Sequence, residues 1–336
     1  MDTINLIKQA MNFFKRIFFI LFCFNLCSFA QEKDEPVRFA IVSDLHVPDV
    51  PDGMQRMQAV VDAARREKVD FLIQLGDFIR LDSLNAPYRR VWEGFPGKKF
   101  HVLGNHDLDK YTKEEYVRGM EMPGRYYSFD QGEFHFIVLD GNNLYDGTRY
   151  IPYSKANYYV NPKMRAFVDA EQLEWLKADL AATTKKCILF SHQSIDTFMN
   201  NGQAVRKILE EENRRSGFQK VVLAFSGHNH SNYTKNIGGI TYVQINSASY
   251  VWIEQLSETE KRYPKEINDR YSLLSRSIPY DRALYGIVTL TDKGARMKGV
   301  QGRFVPPTPK EIGMKDSIGI FPLVPFIKDL NIDFID

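Results

Sequence analysis

Five short polar clusters hold most of the side chains in this 336-residue chain that could bind a metal ion or carry a proton. They read Ser43-Asp44-Leu45-His46, Gly76-Asp77, Gly104-Asn105-His106-Asp107, Ser191-His192 and Gly227-His228-Asn229-His230. Five of the seven histidines lie within them. One histidine or aspartate after an apolar run is usually a cap or turn residue, but recurrence at five comparable places points to shared chemistry. Carboxylates, imidazoles and one amide oxygen, with no thiolate, form a nitrogen and oxygen donor set suited to borderline divalent ions such as Mn, Zn, Fe or Ni. Asp44, His46, Asp77, Asn105, His192, His228 and His230 are more donors than one tetrahedral ion accepts. Two ions sharing a carboxylate use them more economically. Glycine precedes three of the clusters, as expected where the backbone bends beside a crowded centre.

Each cluster follows an apolar run of strand length, and loops beyond the carboxyl ends of strands are where ligands collect in such sheets. The pattern predicts strands over Phe39–Ser43, Phe71–Leu75, Phe100–Leu103, Cys187–Phe190 and Val221–Phe225. Met54, Met57, Val60, Val61 and Ala64 repeat at helical spacing, as do Leu173, Leu176 and Leu180 in a helix from Ala170 to about Thr183. Hairpins are expected over Tyr126–Leu139 with Gly132 at the turn, around Asn236-Ile-Gly-Gly, and after Leu284–Leu290 at Asp292-Lys-Gly. A βα rhythm that gives way to hairpins indicates mixed sheets packed together with helices outside.

In order and type, Asp44-x-His46, Gly76-Asp77, Gly104-Asn105-His106-Asp107, His192 and Gly227-His228-x-His230 resemble the five blocks of calcineurin-like metallophosphoesterases. The resemblance spans about residues 38–231. It implies an α/β fold, a four-layer α-β-β-α sandwich of two mixed sheets flanked by helices. It also implies two divalent metal ions, one held by Asp44, His46 and His230, the other by Asn105, His192 and His228, with Asp77 between them. His106 would face the substrate without binding metal, oriented by Asp107. The reaction implied is hydrolysis of a phosphomonoester or phosphodiester by a hydroxide bridging the two ions. A non-catalytic metal-binding envelope protein of the same fold is the alternative. Purple acid phosphatases, a branch of this family, carry tyrosine three residues after the bridging aspartate; Arg80 stands there instead, where its planar fork suits a substrate phosphate.

The ends of the chain have a different character. Lys8, Lys15 and Arg16 precede an apolar run from Ile17 to Phe29, short of the roughly 20 residues of a membrane span. With Ser28 and Ala30 this reads as a secretory signal over residues 1–30, cleaved before Gln31, and so as a secreted or periplasmic protein. An uncleaved anchor is the other reading. Cleavage removes Cys23 and Cys27, leaving Cys187 with no internal disulfide partner. It also removes three basic residues and Asp2 from totals of 44 basic and 42 acidic, leaving the signs equal. An even balance gives no global attraction for nucleic acid, so a small phosphate ester is the expected partner, with no stable membrane span. Residues 31–300 are expected to form the phosphoesterase domain. Residues 301–336, with Pro306, Pro307, Pro309, Pro322 and Pro325, form a tail packed on it without regular structure.

Overall fold

Aromatic and β-branched runs build two six-stranded sheets in the computed structural model, which describes residues 35–253 and 257–334. In chain order their strands are β1 (Val37–Val42), β2 (Phe71–Gln74), β3 (Lys98–His101), β4 (Tyr127–Gln131), β5 (Phe134–Val138) and β6 (Lys186–Ser191). There follow β7 (Val221–Ser226), β8 (Tyr233–Ile237), β9 (Ile240–Gln244), β10 (Gly286–Thr291), β11 (Gly294–Gly299) and β12 (Leu330–Asp333). The first sheet runs β12-β11-β10-β1-β2-β3 and the second β8-β9-β7-β6-β5-β4. Within the first, β1, β2 and β3 are parallel to one another; within the second, β5, β6, β7 and β9 are. The five polar clusters follow β1, β2, β3, β6 and β7, all members of these parallel sets.

Phenylalanines lock the two sheets together. Phe39 of β1 stacks on Phe71 of β2 at 4.8 Å and meets Phe136, Phe190 and Phe225 of the second sheet edge-on at 5.8–6.1 Å. All five rings are fully buried. Edge-to-face pairs add about 0.5–1.5 kcal/mol each beyond the apolar area they bury. The loops that leave these strands therefore start from a rigid base.

Helices cover the outer faces. Helix α1 (Gly53–Arg66) packs on β1 through Met57, Val60, Val61 and Ala64, and α2 (Ala86–Glu93) lies against α1. Helix α3 (Lys113–Gly119) begins with a capping box made by Thr112 and Glu115. Helices α4 (Ala170–Ala182) and α5 (Gly202–Ser216) bury Leu176, Leu180, Val205 and Leu209 in the core of the second sheet. The layers run helix, sheet, sheet, helix, as the resemblance implies.

The structure departs from the sequence expectation in several places, three of which bear on the site and the tail. Strand β3 starts and ends two residues early: Val102 and Leu103 are buried but already belong to the turn that delivers Gly104. Helix α5 was not expected, because its narrow apolar stripe sits among Glu210, Glu211, Glu212, Arg214 and Arg215. The tail does acquire regular structure. Past Pro325 no proline blocks pairing, and β12 joins β11 at the edge of the first sheet. Its approach is held by Asn246, whose amide donates to the carbonyls of Val324 (2.6 Å) and Phe326 (3.3 Å). Residues 317–318 and 321–322 pair as a small hairpin. Among the described residues, no helix is long and apolar enough to cross a membrane. The expected signal at 1–30 lies outside the described residues.

Candidate dinuclear metal centre

The loops after β1, β2, β3, β6 and β7 converge through backbone hydrogen bonds. Asp44 N donates to Gly76 O (3.1 Å), His46 N to Asp77 O (3.0 Å) and Gly227 N to His192 O (2.9 Å). The turns are sharp enough that Asp44, His46, Asp77, His228 and His230 all have φ between 45° and 73°. Such left-handed backbone costs a non-glycine residue on the order of 1–3 kcal/mol and persists only where the surroundings impose it. Gly76 reaches φ 96° in the same turn system. Gly104 is needed for closeness instead, since a Cβ there would strike the backbone nitrogen and carboxylate of Asp77.

Two triads result, Asp44 with His46 and His230, and Asp77 with His192 and His228; in each, one donor atom per residue lies within 4.8 Å of the others. Both carboxylates are arranged alike. Asp44 Oδ2 accepts from the Ser43 hydroxyl and from His228 N (3.0 Å), whereas Oδ1 is buried with no hydrogen-bond partner. Asp77 Oδ1 accepts from His106 N at 2.7 Å. Its Oδ2 lies 3.2 Å from His192 Nε2 and 3.8 Å from His46 Nε2, facing both triads.

The imidazoles are aimed in the same way. His230 Nδ1 donates to Tyr250 O (2.6 Å) and His192 Nδ1 to Leu75 O (2.7 Å), which turns each Nε2 inward. His230 Nε2 is then 3.1 Å from His46 Nε2, and His192 Nε2 is 3.2 Å from both His228 Nδ1 and Asn105 Oδ1. Second partners of this kind fix tautomer and orientation in metal-binding histidines. Burial, assisted by neighbouring imidazoles and opposed by Asp77, pushes His46 and His228 down to about 3, so both offer lone pairs at neutral pH. Burial also disfavours charge on His192, but Asp77 and Asp44 outweigh it and raise the ring to about 9. The carboxylates therefore demand positive charge here, and protons compete with metal ions for it. An unpartnered buried oxygen and several converging lone pairs fit two divalent ions.

His106 stands beside the triads, its ring centroid 5.4 Å from that of His46. Asp107, expected to orient it, points elsewhere. The Asp107 carboxylate accepts from the backbone nitrogens of Asp77 (3.1 Å), Phe78 (2.8 Å) and Gly104 (2.9 Å) and from Tyr116 OH (2.9 Å). It anchors the loop of Asp77 and makes no hydrogen bond to the His106 ring. Asp109 is the partner: His106 Nδ1 donates to its Oδ2 at 3.0 Å, while Tyr158 OH donates to its Oδ1 and lies 3.1 Å from the same ring nitrogen. The reason is local geometry. His106–Leu108 is a 3₁₀ turn, in which residues three apart eclipse, so Asp109 follows His106 and Asp107 faces inward. Burial opposes a charge on His106, yet Asp77 and Asp109 raise it to about 9.

A cleft of about 430 Å³ opens from this centre, lined by His46, Asp49, Arg80, His106, Trp252 and Arg276 among others. Arg80 is thus at the site, paired with Asp49 at 2.9 Å. Trp252 lies over three imidazoles, with centroids 5.7 Å from His46, 5.7 Å from His230 and 6.2 Å from His106. Tyr250, two residues earlier, is buried beneath it.

Known proteins resemble this chain over the segment that holds the site. The profile of the calcineurin-like phosphoesterase family matches residues 37–232. A manganese-dependent ADP-ribose/CDP-alcohol diphosphatase of Arabidopsis thaliana is 27% identical over 132 residues, which are 32% of this chain and 42% of that protein. A protein of the same name from Oryza sativa subsp. japonica is 22% identical over 263 residues, 60% of this chain and 79% of that one. The chain thus spans less than half of the Arabidopsis relative's length. The crystal structure of a dimetal phosphatase from Danio rerio (LOC 393393) superposes with a TM-score of 0.57 at 17% identity, covering 81% of this chain and 99% of that one. At that identity the likeness speaks to the fold alone. The chain belongs to the calcineurin-like phosphoesterase family.

Proposed function

We propose that the chain hydrolyses a small phosphate ester, a phosphomonoester or phosphodiester, with water as nucleophile at this centre. The observation that carries the reading is the pair of buried triads, in which Asp44 Oδ1 has no hydrogen-bond partner and the histidine nitrogens converge on one another. Asp44, His46 and His230 would hold one ion, and Asn105, His192 and His228 the other, with Asp77 Oδ2 turned to both. When bound, the two ions supply Lewis acidity that makes hydroxide available at neutral pH and offsets charge on the phosphoryl oxygens. His106, with Nδ1 held by Asp109, keeps Nε2 for the substrate and returns a proton to the leaving oxygen. One oxygen from water joins phosphorus, one ester P–O bond breaks, and the departing alkoxide takes the proton. Arg80 is set to bind a phosphoryl oxygen from the cleft wall.

A second reading takes the cleaved bond as a diphosphate linkage, as the names of the two plant relatives describe for those proteins. The cleft favours it to this extent: beside the centre it offers Arg80, Arg276 and the Trp252 ring, partners for a second phosphate and a flat group. We place the mature enzyme outside the cytoplasm on the sequence pattern of residues 1–30 alone; amino-terminal sequencing of the exported protein should begin at Gln31.

The test is hydrolysis by Mn²⁺-loaded protein of bis(p-nitrophenyl) phosphate, p-nitrophenyl phosphate and ADP-ribose, beside Asp77→Asn. Turnover should fall in the variant by more than the roughly 10²–10⁴-fold that one proton-transfer group contributes. Wild-type protein with two ions bound and no turnover of any of the three would overturn the proposal.

A further inference from the structure

A second cavity, of about 280 Å³, adjoins the cleft and shares Trp252 and Ile253 with it. The same triad reaches both: His46 lines the cleft and His230 lines the cavity. The two spaces differ in charge. The cleft sets Asp49, Arg80, Asp109 and Arg276 beside Tyr159, Trp252, Ile253 and Leu273, whereas the cavity is walled by Val251, Trp252, Ile253, Ile318, Phe321 and Leu323 with no charged side chain. The polar groups along the cavity already have protein partners. The Ser231 hydroxyl donates to Pro322 O (2.8 Å), the Asn229 amide nitrogen to Ser194 Oγ (3.1 Å) and Gln244 Oε1 (3.2 Å), and His230 Nδ1 to Tyr250 O. Little is left there to hold water, so an apolar group entering it displaces solvent that binds weakly.

Resting on the hydrolase reading above, we propose that the substrate is a two-armed phosphoester. One arm is polar and lies in the Arg80 cleft. The other is an alkyl or acyl chain that lies in the cavity between Trp252 and the tail hairpin of residues 317–322. A monoester has a single arm and fills only one of the two spaces. The tail hairpin sets specificity: Ile318 and Phe321 contribute chain contacts, and the Ser231 bond to Pro322 fixes their distance from the centre. The reaction remains addition of water across one ester P–O bond, so no further reactant is required.

The experiment measures kcat/KM of the Mn²⁺ enzyme on glycerophosphate diesters whose second alcohol is methanol, butanol or hexanol, with products separated by chromatography. The expected result is a rise with chain length approaching about fourfold per methylene. Ile318→Asp and Phe321→Ala should each reduce that rise to less than about twofold per methylene. Ile318 is 44% exposed, so its substitution leaves the fold intact, and circular dichroism checks both variants. Hexyl monophosphate should be turned over at least about tenfold more slowly than the hexyl diester. A flat dependence in the wild-type enzyme, or an unchanged rise in both variants, overturns the apolar arm. Equal rates on hexyl monoester and diester overturn the two-armed substrate. Absence of turnover on every ester, including the nitrophenyl substrates, overturns the hydrolase reading and this inference with it.

Discussion

Two buried clusters of charge, the metal centre and a group around Asp140, complete themselves differently. Asp140 Oδ2 accepts from Lys113 Nζ at 2.5 Å and faces Arg125 at 3.3 Å, and Oδ1 accepts from the backbone and side-chain nitrogens of Asn142. Lys113 also donates to Asn143 Oδ1 (2.8 Å), and Arg125 pairs with Asp169 (2.8 Å). Every charge there has a protein partner, and the backbone of these residues stays out of the left-handed region. At the metal centre one carboxylate oxygen is orphaned, lone pairs meet lone pairs, and five ligand residues take a costly conformation. A buried cluster that balances itself is architecture. One that does not is waiting for a ligand, and this difference separates the two without reference to any known protein.

The contrast can be broken most severely at Asp140. Asp140→Asn leaves the Lys113 ammonium buried without its anion and should cost about 3–5 kcal/mol. Urea denaturation in the presence of a chelator measures it, and added Mn²⁺ should not restore the loss. Metal addition to the wild-type protein probes the other cluster. Each ion at a hundred times its Kd should stabilise the fold by about 2.7 kcal/mol, read as a higher Tm. The increment should persist in Asp140→Asn and vanish in Asp77→Asn.

Asp109 tests whether the partner of His106 has been identified correctly. Asp109→Asn should lower kcat by roughly 10–100-fold, as removal of an orienting carboxylate does, with metal content unchanged. Asp107→Asn, by contrast, should lower metal affinity, because it loosens the loop that carries Asp77. Equal metal content with reduced kcat in Asp107→Asn would reverse the two assignments.

The smallest effect is expected far from both clusters. His135 lies between Asp179 (2.9 Å) and Asp130 (2.6 Å). Burial opposes its charge, but the hydrogen bonds to these carboxylates prevail and raise its pKa above the ordinary 6.5. The stability this contributes, up to about 1 kcal/mol, is fully present below 6.5 and is lost as pH rises through the folded-state value. His135→Gln should flatten that dependence in denaturation curves taken from pH 6 upward.

All the donors at the metal centre are legible in the sequence because each sits in a short cluster directly after an apolar run. Residues that act from a different segment are not. Tyr158 comes from a loop with no periodicity, and Tyr250 contributes a backbone carbonyl, which no side-chain pattern can reveal. Asp109 was within reach: His106-x-x-Asp109 has the spacing of a 3₁₀ turn, but the adjacent Asp107 offered a nearer acid. Trp252 and Tyr250 look equivalent in sequence, and only packing sends one to the cleft and the other to the core. Helix α5 escaped notice because three consecutive glutamates dilute its apolar stripe, while β12 was hidden by the prolines that precede it.

Neither triad is drawn from one stretch of chain. Asp44 and His46 leave the first sheet to meet His230 beyond the second, and Asp77 crosses the same divide to reach His192 and His228. No partly formed half of the protein can therefore hold an ion in the native arrangement, and capture becomes the last event of assembly. Uptake of either ion is thus a report on closure: a molecule that binds metal in this arrangement has both sheets in place.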